Sequence, residues 1–293
     1  MSEELAALVA KRFIQRRDIK AIQFADGKWS PDTKVQRNLS LYAPLGFKMQ
    51  HLRDHIAGER TYGHYLLDEN DLCRVFVFDI DLIEMKVNTS TGEITQSGTW
   101  VEIPEINTLS PDATDNEVDQ GFLVHSEISP RHLWHDRKQP GPRAWYKYQM
   151  RMLAQKFARV ITEDLGIDCA VSYSGSKGIH VYGLTGPIAA REAREGAALV
   201  LDLLDEFEPS RGNNFFRHKN ADPVQGFQNF EIEVFPKQDS LENKDLGNLV
   251  RLPFGRNQKS PDPCFLLDLR TPMSQLTPHP EPERLLESGN PYL

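Results

Sequence analysis

Cysteine is scarce in this chain, and the few cysteines present suit neither a disulfide framework nor a metal cluster. The 293 residues include three cysteines, Cys73, Cys169 and Cys264, which lie far apart and form no CxxC pair. An odd number at such spacing is not the pattern of a small disulfide-linked protein. It also excludes a cysteine-rich zinc site, which needs closely spaced thiolate pairs.

Long apolar runs are also missing. No stretch reaches the roughly 18 apolar residues of a membrane-spanning helix. The N-terminus, MSEELAALVAKRF, has the pattern of an amphipathic helix, and it lacks the basic start, apolar run and cleavage site of a signal peptide. We therefore expect a cytoplasmic protein without a membrane partner; if the source is a phage, the compartment is the host cytoplasm.

Positive charge is in short supply. The chain has 34 lysines and arginines against 42 acids, a formal net charge of −8. This balance argues against a protein that coats DNA non-specifically, but an enzyme can still concentrate its basic residues in a cleft. The length is sufficient for one large α/β domain or for two lobes that share a cleft.

Several familiar motifs are absent too. There is no Walker A loop, no helicase motif and no internal repeat. If the protein works at a replication fork, we expect the helicase to be a separate chain. Two histidine pairs, His51 with His55 and His132 with His135, have a spacing that could bind zinc on a helix, but neither has obvious further ligands.

The hydrophobic pattern predicts alternating helices and strands with one long insertion. We expect a first helix to about residue 17, a hairpin turning at Asp26-Gly27, helices over about 142–166 and 187–207, a strand–turn–strand unit over 167–184 and a strand over 229–236. Residues 84–140 are rich in Thr, Ser, Asn and Pro, which predicts a surface insertion with a hairpin at Thr91-Gly92. Residues 263–293 are expected to form a proline-containing surface tail after a two-lobed domain over 1–262.

The first candidate site follows a run of strand-forming residues in CRVFVFDIDL, residues 73–82. Asp79 and Asp81 are two residues apart, so on a strand both point to the same face. Two carboxylates there repel each other unless water or a cation lies between them. The alternative is a strand that ends at the surface with two solvated acids.

The second candidate is SGSKGIH, residues 174–180. Gly175 and Gly178 would let the backbone approach an anion closely. Hydrogen bonds and positive charge would come from four polar side chains, those of Ser174, Ser176, Lys177 and His180. A simple hairpin turn is the alternative.

Two further segments add charge. In EIEVFPK, Glu231 and Glu233 share a strand face, and one of them could complete a metal site; Glu233 is preferred because it lies closer to the corner that ends at Lys237. The segment GNLVRLPFGRNQK contributes three basic residues, Arg251, Arg256 and Lys259. A solvated basic loop would explain them equally well.

Together these segments resemble the three motifs of the archaeo-eukaryotic primase superfamily, in the family's order. FDID is similar to its first motif, SGSKGIHVYG to its second, and IEVFPKQ followed by GNLVRLPFG to its third. A glutamate stands where the family usually has an aspartate, so the choice between Glu231 and Glu233 stays open. The amino-acid sequences of these segments, together with HLRDHIAGERTYGHYLL upstream, are similar to those of primase-polymerases of phages, plasmids and mobile elements.

The resemblance implies an α+β catalytic core, with an RRM-like palm and an N-terminal α/β unit, and an active site between them. Asp79, Asp81 and Glu233 would hold two Mg²⁺ or Mn²⁺ ions. Binding of the nucleotide's phosphates would fall to Ser174, Ser176, Lys177, His180, Lys237 and Arg251. Partners would be a single-stranded DNA template, a primer, and NTPs or dNTPs. The implied activity is a DNA primase or polymerase acting by nucleotidyl transfer.

Other functions remain open from the sequence. A polymerase-beta-type nucleotidyltransferase places its glycine-serine turn shortly before the acids, which is the reverse of the order found here. A DxD glycosyltransferase would not explain the acids of IEVFPK. A non-catalytic module with the same fold, which binds single-stranded DNA or a replication origin, is the main alternative. Trp134, Trp145, Tyr146 and Tyr148 could stack bases or belong to the core. Tyr62 or Tyr65 could stand near the ribose.

Overall fold

The architecture is taken from a computed structural model of the chain. The structure describes residues 3–36, 41–44, 46–83, 86–87, 94–96, 100–102, 129–132, 140–221, 230–242, 244–260, 262–271 and 276–293. Its helices are α1 Glu3–Phe13, α2 Met49–Ile56, α3 Pro140–Arg159, α4 Ala190–Leu204 and α5 Pro282–Ser288. One π-helical segment, Val160–Asp164, continues α3.

The strands of the described residues are numbered in chain order. They are β1 Ala21–Gln23, β2 Trp29–Pro31, β3 Thr33–Gln36, β4 Leu41–Pro44, β5 Thr61–Tyr65, β6 Leu72–Leu82, β7 Lys86–Val87, β8 Ile94–Gln96, β9 Trp100–Glu102, β10 Ser129–His132, β11 Asp168–Tyr173, β12 Gly178–Ala189, β13 Phe207–Pro209, β14 Phe215–His218, β15 Phe230–Phe235, β16 Leu249–Arg251 and β17 Phe265–Leu266.

The largest unit is a seven-stranded antiparallel sheet in the order β13-β14-β15-β6-β12-β11-β17. The side chains of its central strand, β6, point alternately to the two faces of the sheet. Phe76 and Phe78 point to the face covered by α3 and α4, and the ring of Phe78 lies 4.8 Å from that of Phe157 in α3. Because side chains alternate along a strand, Asp79 and Asp81 point to the opposite face.

A four-stranded sheet, in the order β16-β5-β1-β2, forms the N-terminal lobe. Helix α1 contacts both lobes. It packs against α2, which in turn contacts β5 of the N-terminal sheet. Phe13 at its end packs edge-to-face against Tyr182 of β12, with ring centroids 5.0 Å apart. The predicted α+β class is confirmed: helices and antiparallel sheets are mixed along the chain, as expected for the core that the resemblance implies. The hairpin predicted at Asp26-Gly27 is present between β1 and β2, with Gly27 at a φ of 81°.

The C-terminal segment differs from the expected surface tail. Strand β17 pairs with β11 at the edge of the large sheet, and Leu285 and Leu286 of α5 are fully buried. The sequence did not predict this burial, because the apolar stretches between the prolines are too short to show a helical or strand periodicity. The boundary at residue 262 stays a prediction, but the segment after it contributes to the core.

Most of the expected insertion, 84–140, lies outside the described residues, and so does the turn at Thr91-Gly92. Of that region, β7 pairs with β8 and β9 pairs with β10. In the described part of the chain, no helix has the length and apolarity needed to cross a bilayer.

Candidate active site

Asp79 and Asp81 lie at the centre of a cross-strand row of polar residues. In the register of the large sheet, Glu233 of β15 is opposite Asp79, and His180 of β12 is opposite Asp79 on the other side. Opposite residues of antiparallel strands share a face, with Cβ atoms about 5 Å apart. The three motifs found in sequence are thus brought together on one surface, because β6 is paired on both sides by the strands that carry the other two.

His180 and Asp79 form the closest contact of this row. The Nε2 atom of His180 lies 3.3 Å from Oδ1 of Asp79. That distance is an ion-pair distance without good hydrogen-bond geometry, and Oδ1 is otherwise buried without a hydrogen-bond partner. Burial by itself raises the pKa of the Asp79 carboxyl. The interaction with His180 and the positive charges of Arg251 and Lys177 outweigh this effect and lower the pKa below its usual value. Asp79 is therefore held as an anion with an oxygen free to accept another partner.

The ring of His180 is fixed from its other side. Its Nδ1 atom lies 3.0 Å from the hydroxyl of Tyr182, and Ser172 Oγ donates to the same hydroxyl at 3.4 Å. Burial raises the pKa of the Tyr182 phenol above its usual value, so the hydroxyl keeps its proton. His180 is consequently presented to Asp79 in a defined orientation.

Asp81 has a different electrostatic environment. Burial, followed by the negative charge of Asp79, raises the pKa of Asp81 to about 6. Lys177 offsets part of this effect, with Nζ 3.6 Å from Oδ2 of Asp81. The surrounding protein removes much of the hydration of this carboxyl, but its side chain is still 41% exposed where it faces the cavity, so water or a cation can reach it.

The glycine opposite Asp81 is a steric requirement. Gly178 faces Asp81 in the strand register, and a Cβ atom built on Gly178 would overlap Oδ1 of Asp81 and the carbonyl of Ile80. The second motif therefore has a glycine here because the carboxylate of the first motif occupies the space.

The structure keeps both candidate acids of the third motif on the same face. Glu231 is opposite Asp81 in β6 and is bound in a bidentate manner by Arg211, at 2.9 and 2.6 Å. Glu233 is in contact with Lys237. A guanidinium thus holds Glu231 through two bonds and an ammonium group contacts Glu233, and the choice of Glu233 as the third acid stays a prediction.

The turn between β11 and β12 is tied to β16 through Arg251. This side chain is 9% exposed; its Nη2 donates to the carbonyl of Ser174 at 2.8 Å and its Nη1 to Sγ of Cys264 at 2.6 Å. A Cβ atom on Gly175, which has a φ of 75°, would come within 2.9 Å of the same sulfur. Cys264 thus packs between the turn and the guanidinium, a role that its position in the sequence did not indicate.

A cavity of about 300 Å³ opens between the two lobes at this point. Its walls are formed by Gln23, Trp29, Asp79, Asp81, Ser174, His180, Phe235, Leu249, Val250, Arg251, Asn257 and Lys259. Five of the predicted site residues are therefore in one cavity, while Glu233, Ser176, Lys177 and Lys237 are not among its lining residues. Gln23, Trp29 and Asn257 were missed, because no motif in the sequence marks them.

Two cations of this cavity have no acidic partner. Within the described residues, neither Arg251 nor Lys259 forms an ion pair with a carboxylate. The stem of Lys259 crosses Gly27 so closely that any Cβ there would overlap it. The loop that carries Lys259 is also fastened to the N-terminal lobe, since the Gln258 amide N–H donates to the Gln23 side chain at 3.1 Å and the Gln258 side chain donates to Thr61 at 2.8 Å.

The donors present suit a hard divalent cation that keeps water or substrate ligands. The described residues contain no group of three or more His, Cys, Asp and Glu side chains arranged to enclose a metal ion. Asp79 and Asp81 nevertheless present carboxylates to the cavity, and one oxygen of Asp79 is buried without a hydrogen bond. Mg²⁺ is commonly bound by one or two carboxylates plus phosphate oxygens and water, so these residues fit such an ion.

The pair His51 and His55 is not available as a zinc site. His55 is fully buried, and its ring nitrogens contact the carbonyl of Pro253 at 3.0 Å and the N–H of Tyr62 at 3.0 Å. Burial lowers the pKa of His55 to about 4, so it serves as a neutral bridge. His132 lies at the end of β10, and His135 is outside the described residues.

Three of the six aromatic candidates are buried. Tyr62 and Tyr65 are 1% and 5% exposed and do not line the cavity, and Tyr148 is 8% exposed. Trp145 and Tyr146 lie in α3, and Trp134 is outside the described residues.

Comparison with known proteins agrees with the resemblance seen in the motifs. Residues 144–277 match the family model described as the archaeo-eukaryotic primase domain of the TOTE conflict system, so the predicted similarity to this superfamily is confirmed over that segment. Among solved structures, the chain is similar to the polymerase domain of Ligase D from Mycobacterium tuberculosis in complex with DNA. The identity is 14% and the TM-score 0.32, and the match covers 79% of this chain and 72% of that one. No curated protein matches the chain.

Proposed function

We propose that this protein is a nucleotidyltransferase that synthesises or extends primers on single-stranded DNA. The observation that carries the proposal is the cross-strand row Glu233–Asp79–His180, with Asp81 beside it. Asp79, Asp81 and His180 line a cavity whose walls also carry cations without an acidic partner among the described residues. Carboxylates together with unpaired cations suit a substrate that brings both a metal ion and a polyphosphate. The primase-family match over 144–277 includes the second and third motifs and supports the same reaction.

In the proposed site, Asp79, Asp81 and Glu233 hold two Mg²⁺ or Mn²⁺ ions. When bound, such ions activate the attacking 3′-hydroxyl and neutralise charge on the phosphates. Phosphoryl transfer needs little covalent chemistry from the protein, so the remaining residues act by positioning and by charge.

The chain's own groups divide into fixed and paired cations. Arg251 is held rigidly by Ser174 and Cys264, so it presents a fixed charge to the phosphates. Lys177 and Lys237 neutralise Asp81 and Glu233 in the structure, and both lysines would be within reach of phosphate oxygens if bound cations neutralised those acids. Ser176 and His180 supply further hydrogen bonds to the phosphates, and Lys259 adds charge from the N-terminal lobe.

The test uses unprimed and primed single-stranded DNA with labelled nucleotides and either Mg²⁺ or Mn²⁺. Wild-type protein is compared with the Asp79→Ala/Asp81→Ala double variant. Short products on the unprimed template that disappear in the variant identify a primase, and extension from the primer alone identifies a polymerase that needs a start. If neither template gives product with either metal, the proposal fails and a non-catalytic module that binds single-stranded DNA or a replication origin replaces it.

A further inference from the structure

Trp29 is a cavity residue to which the three motifs give no role. It begins β2, the edge strand of the N-terminal sheet, and it lines the same cavity as Asp79 and Asp81. Its side chain is only partly buried. Its inner side packs against a small cluster formed by Ile19, Ala21 and Tyr65, and the remaining part of the ring borders the cavity.

The indole lies across the surface of the N-terminal sheet. In the strand register, Ala21 of β1 is opposite Gly63 of β5. A Cβ atom on Gly63 would be 3.1 Å from Cζ3 of Trp29. The Trp29 side chain therefore reaches from β2 across β1 towards β5, two strands away, and two strand spacings are about 10 Å. The small residues Ala21 and Gly63 leave the depression in which the ring lies.

The same glycine lies beside strand β16. Arg251 of β16 is opposite Gly63 on the far side of β5, and a side-chain carbon of Leu249 would be 2.8 Å from a Cβ at Gly63. Trp29 and Arg251 both line the cavity. The part of the indole that is not covered by the sheet therefore faces the cavity.

We infer that Trp29 is a nucleotide-binding residue that stacks on the nucleobase of the incoming nucleotide. The inference rests on the proposed function and extends it, by assigning the planar base to Trp29 and leaving the phosphates to the cations of the cavity. Aromatic stacking accepts every base because each has a π-face, so Trp29 contributes affinity for nucleotides without selecting one base. The base is assigned to the mononucleotide because Trp29 lines the same cavity as the carboxylates of Asp79 and Asp81.

The experiment separates the base from the phosphates. Binding of ATP and of inorganic tripolyphosphate is measured by calorimetry in Mg²⁺ without template, for the wild type and for Trp29→Ala, Trp29→Phe and Phe24→Ala. Phe24 is the matched control, because it lies on the same hairpin, is 50% exposed and is not a lining residue of the cavity. Circular dichroism establishes that each variant is folded.

We expect Trp29→Ala to weaken ATP binding about tenfold and to leave tripolyphosphate binding unchanged. Trp29→Phe should retain most of the affinity for ATP, and Phe24→Ala should match the wild type with both ligands. Equal ATP affinity in wild type and folded Trp29→Ala, or an equal loss for both ligands, overturns the inference while leaving the proposed reaction intact.

A second arm identifies the source of the base. If Trp29→Ala weakens binding of a short single-stranded oligonucleotide but not of ATP, the ring stacks on a template base and the assignment to the nucleotide is wrong. A wild-type protein that binds neither ATP nor tripolyphosphate removes the proposed function and this inference together.

Discussion

His180 and Asp79 face each other across the central pair of antiparallel strands, with Nε2 of the histidine 3.3 Å from Oδ1 of the aspartate. The two residues are about a hundred positions apart in the chain, and pairing of β6 with β12 makes them neighbours. This contact joins the first motif to the second. It also keeps Asp79 anionic at neutral pH, because the histidine and the nearby cations outweigh the effect of burial on its pKa.

The two glutamates of β15 should differ sharply in importance. We expect Glu233→Gln to reduce nucleotide incorporation by about 100-fold, the scale seen when one preorganised charge is removed from a catalytic site. Glu231→Gln is the matched control, because its carboxylate is already bound by Arg211, and it should change activity only a few-fold. Primer-extension rates would decide the question, and the reverse order would make Glu231 the third acid.

Gly178 should not tolerate a methyl group. We expect Gly178→Ala to lower activity at least about tenfold, because the added Cβ displaces the carboxylate of Asp81. Gly196→Ala in α4 is the control: its Cβ would meet Phe76 at an ordinary 3.5 Å, and alanine favours a helix by about 1 kcal/mol over glycine. Activity and melting temperature are measured for both. Full activity in Gly178→Ala would show that Asp81 need not occupy its present position.

Cys264 should act on nucleotide binding through Arg251. We expect Cys264→Ala to raise the KM for the nucleotide about tenfold with a small change in kcat, since a hydrogen bond to a charged group contributes about 1.5–3 kcal/mol. Cys264→Ser, which keeps an acceptor, should restore most of the affinity. The control is Cys169→Ala, a buried cysteine of β11 that should lose stability without a change in KM. A KM that is equal in all three variants would separate Cys264 from the site.

The pKa of Asp81 predicts a pH-dependent stability. Because folding raises this pKa from its usual 3.8 to about 6, the folded state binds the proton more tightly than the unfolded state. The contribution of Asp81 to stability is complete below pH 4 and is lost as the pH rises through 6. Without divalent cations, Asp81→Asn should therefore raise the melting temperature at pH 7.5 and have little effect at pH 4.

The same pair of proteins tests cation binding. Mg²⁺ should raise the melting temperature of the wild type at pH 7.5, because a ligand that binds the folded state stabilises it, and it should have a smaller effect on Asp81→Asn. Calorimetric scans with and without Mg²⁺ measure both quantities. A melting temperature of Asp81→Asn equal to that of the wild type at pH 7.5 would mean that Asp81 carries no electrostatic strain.

The sequence predicted the acids better than the rest of the cavity. Asp79 and Asp81 were placed on one face in advance because strand alternation puts residues two apart on the same side, and that rule is local. The same rule applies equally to the two glutamates of β15, so the choice between them stays a prediction. Gln23 and Trp29 could not be found in this way. Their hairpin was predicted correctly, but nothing local tells which face of it meets the other lobe.

The C-terminal segment shows a related limit. Short apolar stretches between prolines look like a surface tail, and yet β17 completes an edge of the large sheet and α5 buries two leucines. Their burial depends on partners more than ninety residues away in sequence, in β11 and α1. Local periodicity contains no information about such partners.

What the sequence by itself determined is the chemistry: paired carboxylates, a glycine-rich turn with Lys177 and His180, a third acid, and the family that their order resembles. Tertiary structure alone decided which of these groups meet. Pairing of β6 with both β12 and β15 sets Asp79 between His180 and Glu233. Packing of the two lobes adds Trp29, Lys259 and Cys264, because strand register and lobe contact depend on the whole chain, whereas side-chain chemistry depends on single residues.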